Sequence, residues 1–222
     1  MNKKSIKISL VLNILIIVMV IAASIMMFTG FRFMHGYEIV LQTTKLEMLK
    51  FFTVQSNMFM GLVALLFLIK EIKVIKNHDK DISTIYYILK LIGTTSVGLT
   101  FFIVFAYLGP ISKDGIPSML MNSNLFFHLL IPVISILDFV LFEKTNKLVF
   151  KSTVYGLSLT FIYAVYYLIN VLIHVDNGKV SPVYDWYWFV QNGVWTAIIV
   201  VPIIFIVTYI ISLLLWKTNK TK

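Results

Sequence analysis

Long apolar runs alternate with short polar segments along the whole chain. The apolar runs cover residues 8–28, 51–69, 82–108, 122–142, 153–174 and 187–216. A helix needs ~20 predominantly apolar residues to cross the hydrocarbon core of a bilayer, and each run is about that long or longer. The pattern therefore predicts an all-α, polytopic membrane protein in which residues 1–222 form one bundle of six transmembrane helices.

The basic residues predict the orientation of this bundle. Thirteen of the 19 Lys and Arg lie in the N-terminal segment, the second and fourth connections and the C-terminal tail, and five lie in the other three connections. Because cytoplasmic segments carry an excess of Lys and Arg, we expect a multi-pass protein of the cell membrane with both termini in the cytoplasm. The first run is longer than the core of a secretory signal, so we expect it to remain as a crossing.

Composition narrows the class of protein further. The chain is 59% hydrophobic and 13% charged, which is typical of polytopic membrane proteins and leaves almost no room for a soluble domain. The absence of cysteine excludes disulfides and thiol nucleophiles. The formal charge of +9 comes from segment ends rather than from a basic face, so the expected partners are membrane lipids and not nucleic acid. The oligomeric state is not predicted.

Two apolar runs open with polar side chains that share a helix face. Thr53, Ser56 and Asn57 are spaced three and four residues apart, and Asn124 and His128 are spaced four apart. A polar group inside a membrane is costly, so we expect these two faces to meet. In one interpretation they only bridge helices, as threonine and histidine often do. In the other, the histidine is a general base that activates the threonine hydroxyl as a nucleophile.

Three further features of the runs carry expectations. Pro132 lacks an N–H, so the His128 carbonyl is predicted to lose its helical partner and the helix to bend. Lys90 and Asp138 lie near the cytoplasmic ends of the third and fourth runs, where a structural ion pair is predicted. Snorkelling of Lys90 and a proton relay are the alternatives. His35, His174 and Asp185 could join His128 as zinc ligands, but none has a local ligand spacing, so no metal is predicted.

Two short stretches resemble a known family. They are Phe51-Phe52-Thr53 at the start of the second run, and His128-Leu129-Leu130-Ile131-Pro132 followed by Asp138 in the fourth. With the six-helix layout, they resemble the androgen-induced-gene family, which includes the androgen-dependent tissue-factor-pathway-inhibitor-regulating protein, and the chain is similar to a bacterial branch of it. The resemblance implies a membrane-embedded hydrolase of fatty acid esters of hydroxy fatty acids, with Thr53 as nucleophile and His128 as its histidine. Gln55-Ser56-Asn57 departs from the animal pattern.

The sequence therefore leads to a hypothesis of a lipid-ester hydrolase that uses a threonine and a histidine and no cofactor. The pocket is expected between the second and fourth crossings, toward the outer leaflet, closed by residues 30–50 and by an aromatic cluster at Tyr184. Asn124 or Asp185 is expected to orient the imidazole. The competing hypothesis is a protein that binds or transports a lipid or small molecule without catalysis. The candidates for contacts with the substrate or its oxyanion are Ser56, Asn57, Asn124, Asp185 and Asn192.

Overall fold

A computed structural model describes residues 3–37, 43–177, 179–190 and 194–221 of the chain. In this part the protein is mostly helical, and five helices are long and apolar enough to cross a membrane. The only strands among these residues are two short ones that pair as an antiparallel hairpin. The elements are α1 (Lys3–Thr29), α2 (Phe52–Ile75), α3 (Thr84–Ile111), α4 (Gly115–Met119), α5 (Ser123–Phe142), α6 (Ser152–Ile173), β1 (Val175–Asp176), β2 (Lys179–Val180) and α7 (Val194–Asn219).

The second predicted crossing is also a helix, although it is not among these five. α2 has 24 residues, a length of about 36 Å, and packs against both α1 and α3. It continues six residues beyond the predicted end at residue 69 and so carries Glu71 into the interior. The fold class of a helical membrane protein is confirmed, whereas six crossings and cytoplasmic termini stay predictions.

The last helix begins later than the sequence indicated. The predicted crossing started at residue 187, but residues 186–190 are not helical, and the described part of α7 runs from Val194. These residues are held by Asp185, a buried carboxylate that accepts hydrogen bonds from the N–H groups of Phe189 and Val190, each at 3.0 Å. These bonds fold the backbone locally and delay the start of the helix.

Three segments of the bundle are π-helical. They are Val104–Leu108 in α3, and Phe126–Leu130 and Asp138–Phe142 in α5. The first two end two residues before a proline, Pro110 and Pro132. Single π turns are rare inside α-helices, and those that occur are often found at functional sites. Two of the three candidate residues on α5, His128 and Asp138, lie in such a segment.

Two apolar clusters fill the bundle and define its two ends. One cluster, which includes Phe67, Leu91 and Phe139, lies at the end where α1 begins and α7 ends, which we call the lysine-rich end. The other, which includes Val54 and Phe127, lies toward the opposite end. The helices approach closely between them: a Cβ on Gly61 would lie 2.9 Å from Val20 Cγ1. The two polar faces predicted from the sequence belong to the opposite end.

Candidate functional site

The Asn57 side chain connects the two helices that were predicted to form the site. Its Nδ2 donates to the Thr53 carbonyl at 2.7 Å, within α2, and to the Phe127 carbonyl at 3.2 Å, on α5. Asn57 is completely buried. Asn57 therefore joins α2 to the backbone of α5 at the residue before His128. No hydrogen bond joins the side chains of Thr53 and His128, because His128 Nε2 has no partner among the described residues.

Pro132 explains why the Phe127 carbonyl is available to Asn57. In the π segment the Ile131 N–H bonds to the Phe126 carbonyl, five residues back. The next bond of that pattern would join residue 132 to Phe127, but proline has no N–H to give. The sequence predicted an unpaired carbonyl at His128, which assumes α-helical bonding. The π turn moves the unpaired position to Phe127, and Asn57 fills it.

The His128 imidazole is fully buried and is fixed by one hydrogen bond. Its Nδ1 lies 2.6 Å from the carbonyl oxygen of Met119, the last residue of α4. A carbonyl only accepts, so Nδ1 carries the proton and the neutral ring has a lone pair on Nε2. That Nε2 has no hydrogen-bond partner among the described residues. Asn124 or Asp185 was predicted to orient the imidazole. In the structure the carbonyl of Met119 does so instead.

Thr53 is the second residue of α2 and is almost buried, with 9% of its surface exposed. The first N–H groups of a helix have no intrahelical partner. The Gln55 N–H is the first that bonds back, to Phe51 O at 3.1 Å, and the Phe52 N–H donates to Tyr187 Oη at 3.0 Å. The N–H groups of Thr53 and Val54 lie between these two. Thr53, the candidate nucleophile, therefore lies at the start of α2, next to backbone N–H groups that come before the first helical hydrogen bond.

The remaining candidates differ in how far they are already engaged. Ser56 Oγ donates to the Thr53 carbonyl at 3.1 Å and lies 3.4 Å from Thr100 Oγ1. Asn124 is buried and precedes His128 by four residues on α5. Asn192 lies outside the described residues. The side-chain donors of Ser56 and Asn57 are both bound to backbone carbonyls. We therefore interpret these two residues first as links between α2 and its neighbours.

Asp185, a candidate for orienting the imidazole or contacting the substrate, is a structural residue of the segment between α6 and α7. Its side chain is fully buried. It accepts from the hydroxyl of Tyr167 on α6 as well as from the two backbone N–H groups described above. Through these hydrogen bonds, Asp185 connects residues 185–190 to α6.

Aromatic side chains cover the start of α2. Trp186 Nε1 donates to Tyr163 Oη at 3.0 Å, and the Tyr163 hydroxyl donates to the Lys50 carbonyl at 2.5 Å. Phe52 packs edge-on against Tyr163, with ring centroids 5.2 Å apart. We call this layer the aromatic cover; its members are Tyr163, Tyr167, Trp186, Tyr187 and Phe189. It lies directly over the residues that precede Thr53.

A second polar group lies at the lysine-rich end. The predicted ion pair is confirmed, because Lys90 Nζ lies 3.0 Å from Asp138 Oδ2. The same nitrogen lies 2.6 Å from Glu143 Oε1, and Glu71 is buried nearby. We call Glu71, Asp138 and Glu143, together with Lys90, the carboxylate cluster. Neither glutamate was among the residues singled out from the sequence.

Asn122 is another functional position that the sequence analysis missed. Its Oδ1 accepts from the N–H groups of Phe33 (2.7 Å) and Met34 (2.8 Å), and its Nδ2 donates to Met34 O at 3.1 Å. Its backbone has a positive φ of 55°, a conformation that asparagine tolerates better than most residues. Asn122 is the first residue of the predicted fourth run, and an asparagine at the entrance of a helix was the signal for such a role. Asn122 ties the segment after α1 to the entrance of α5.

No family model, curated protein or solved structure matches the chain. The functional hypothesis therefore depends on the residues and the geometry described above.

Proposed function

We propose that this protein is a membrane-embedded hydrolase of lipid esters, in which Thr53 is the nucleophile and His128 the general base. One observation supports the proposal: the Nδ1–H of the buried imidazole donates a hydrogen bond to the Met119 carbonyl, while Nε2 has no partner among the described residues. That ring lies on the α5 segment that Asn57 joins to the first turn of α2, where Thr53 is found. A base needs such a free lone pair close to the hydroxyl that it activates.

The proposed reaction has two stages. His128 Nε2 takes the proton of the Thr53 hydroxyl while Oγ1 bonds to the ester carbonyl carbon. The tetrahedral intermediate collapses, the ester C–O bond breaks, and the imidazolium returns the proton to the leaving alcohol. His128 then takes a proton from water, the resulting hydroxide attacks the acyl-threonine, and the freed Thr53 oxygen recovers a proton from the ring. The products are an alcohol and a carboxylic acid.

Backbone groups are the proposed donors to the oxyanion. The N–H groups of Thr53 and Val54 stand at the N-terminal end of α2, where the helix dipole also favours negative charge. Ser56 and Asn57 are not assigned this role because their donors are bound to carbonyls.

The surroundings favour a lipid as the substrate. The site lies in a bundle whose helices are apolar on their outer faces, and it is opposite the lysine-rich end. By the distribution of basic residues that side faces the outer leaflet. Fatty acid esters of hydroxy fatty acids, or related esters, would enter sideways from the bilayer. The aromatic cover would have to move to admit them, because His128 is fully buried.

Hydrolysis by the purified protein in detergent or nanodiscs tests the proposal. We expect Thr53→Ala and His128→Ala to abolish cleavage of a lipid ester, and Thr53→Ser to retain part of it. Two matched controls should keep full activity: Thr208→Ala, a buried threonine of α7, and His174→Ala, whose Nδ1 also lies close to a backbone carbonyl. Full hydrolysis by both site variants would disprove the mechanism.

A second function is favoured by the carboxylate cluster. Buried ionisable residues inside membrane helices are frequent in proteins that move ions or substrates. The same polar faces would then bind a lipid or small molecule without cleaving it. Covalent labelling separates the two functions: a fluorophosphonate adduct on Thr53 supports the hydrolase, whereas tight lipid binding without any adduct supports the binding or transport protein.

A further inference from the structure

Three carboxyl groups are buried with a single ammonium group at the lysine-rich end. Glu71, Lys90, Asp138 and Glu143 each have no exposed surface. Lys90 bonds Asp138 and Glu143 directly. Glu71 joins them through Asn13, whose Nδ2 lies 3.2 Å from Glu71 Oε2 and 3.4 Å from Glu143 Oε1. If all four groups were ionised, the cluster would carry two uncompensated negative charges, which a low-dielectric interior disfavours strongly.

The buried atoms of the cluster that have no hydrogen-bond partner are all acceptors, so the cluster is short of donors. Each carboxyl has one bonded oxygen and one without a partner among the described residues, and the unpartnered atoms are Glu71 Oε1, Asp138 Oδ1 and Glu143 Oε2. Asn13 Oδ1, on the amide that joins Glu71 to Glu143, is also fully buried and unpartnered. A carboxylate only accepts, whereas a protonated carboxyl also has an O–H to donate.

We propose that the carboxylate cluster is a proton-binding site that is neutral when two protons are bound. Protons on the unpartnered carboxyl oxygens cancel the excess negative charge and supply the donors that these oxygens and Asn13 Oδ1 lack. A metal ion is disfavoured for two reasons. The described residues contain no group of side chains suited to hold one, and the Lys90 ammonium already occupies the space between Asp138 and Glu143.

The electrostatic environment agrees with bound protons. Burial raises the pKa of Glu143 well above its usual range, and repulsion by Asp138 raises it further, against the attraction of Lys90. The other described groups around the cluster are uncharged at neutral pH. They are Ser9 and Asn13 of α1, Tyr87 of α3 and Asn219 of α7, whose Nδ2 donates to the carbonyls of Phe139 and Glu143.

The site has a consequence for the packing of the bundle. Its members come from α2, α3 and α5 and from the residue that follows α5, with α1 and α7 contributing the polar neighbours. Loss of the protons at alkaline pH leaves negative charge between these helices. We therefore expect the lysine-rich end to loosen and admit water as the pH rises.

Infrared spectroscopy of the full-length protein tests the proposal without any substitution. Near neutral pH we expect a C=O stretch of protonated carboxylic acid that shifts in heavy water and disappears on going to alkaline pH. Glu71→Gln or Glu143→Gln should remove part of this band. Glu47→Gln, a change at an exposed glutamate, should leave it intact. Absence of the band from the unmodified protein near neutral pH would overturn the proposal.

The pH dependence of unfolding is the second readout. Carboxyl groups of the unfolded chain ionise near pH ~4, so a native state that keeps its protons above this value binds more of them. Stability is then full below that pH and falls as the pH rises, by about tenfold in the folding constant per pH unit per proton, until the native groups ionise. Glu143→Gln removes one of the proton-binding groups, so it should reduce this slope by the contribution of one proton. An equal slope in Glu143→Gln and the unmodified protein, or stabilisation by sodium relative to choline at alkaline pH, would contradict proton binding.

Discussion

The bond between Asn57 and Phe127 allows a quantitative test of how α2 is joined to α5. Replacing Asn57 by alanine leaves the Phe127 carbonyl without a donor, while the Thr53 carbonyl keeps the Ser56 hydroxyl at 3.1 Å. A buried acceptor left unpaired costs about 1–3 kcal/mol, and bonds between membrane helices measure about 0.6 kcal/mol on average and ~1.7 at most. We therefore expect Asn57→Ala to lower the free energy of unfolding by about 1.5 kcal/mol.

Replacing Pro132 tests whether the proline is the reason that the Phe127 carbonyl needs Asn57. Pro132→Ala restores an N–H at the position whose π-type partner is the Phe127 carbonyl, so this carbonyl no longer depends on Asn57. In the Pro132→Ala background, Asn57→Ala should cost about 1 kcal/mol less than in the original chain. Pro202→Ala is the matched control, because this proline lies inside α7. There the cost of Asn57→Ala should be unchanged.

Steric trapping in mixed micelles measures these unfolding free energies for all variants. Couplings between independent sites stay within ~0.3–0.5 kcal/mol. If Asn57→Ala costs the same in the Pro132→Ala background as in the original chain, the proline does not create the acceptor that Asn57 fills. The bond between the two helices would then need another explanation.

Three further predictions concern buried polar groups. Lys90→Met should destabilise the protein by about 3–5 kcal/mol, because it leaves buried carboxyls without their cation, and adding Glu143→Gln should recover part of this loss in the same unfolding assay. Asp185→Ala should cost about 2 kcal/mol or more and increase protease cleavage within residues 185–190, since the Tyr167 hydroxyl and two backbone N–H groups lose their acceptor. Asn122→Gly removes three bonds without strain at positive φ, so a loss of about 1–3 kcal/mol with faster proteolysis of residues 31–36 is expected, and unchanged proteolysis would contradict the role of Asn122.

The helices, and the approach of α2 to α5, were predictable from sequence because the apolar and polar positions repeat within single segments. Five apolar runs became helices able to span a membrane, and α2 lies against α5 as expected. Lys90 and Asp138 were paired correctly, since a lone cation and a lone anion inside neighbouring apolar runs have few other partners.

What sequence reasoning missed depends on backbone geometry and on contacts between distant segments. A π turn adds a residue to the helical pattern, and this moved the unpaired carbonyl from His128 to Phe127. Glu71 and Glu143 lie just beyond the apolar runs, where a charge is usually solvated. Their burial follows from partners on other helices, such as Asn13. Met119 contributes only its backbone carbonyl, which no side-chain pattern can reveal.

The carboxylate cluster constrains the order in which the protein can be assembled. Lys90 precedes Asp138 by 48 residues, so α3 is synthesised before α5. A lysine opposes insertion of a membrane helix by about 2.5–3.5 kcal/mol at the centre of the helix, and by less near an end, where Lys90 lies. The nascent α3 must therefore either wait beside the translocon or keep Lys90 at the headgroups until α5 arrives, and Asn219 can join only after synthesis of the last helix. Chains truncated before α5 should for this reason be substrates for membrane quality control, even though α1 and α3 are strongly apolar.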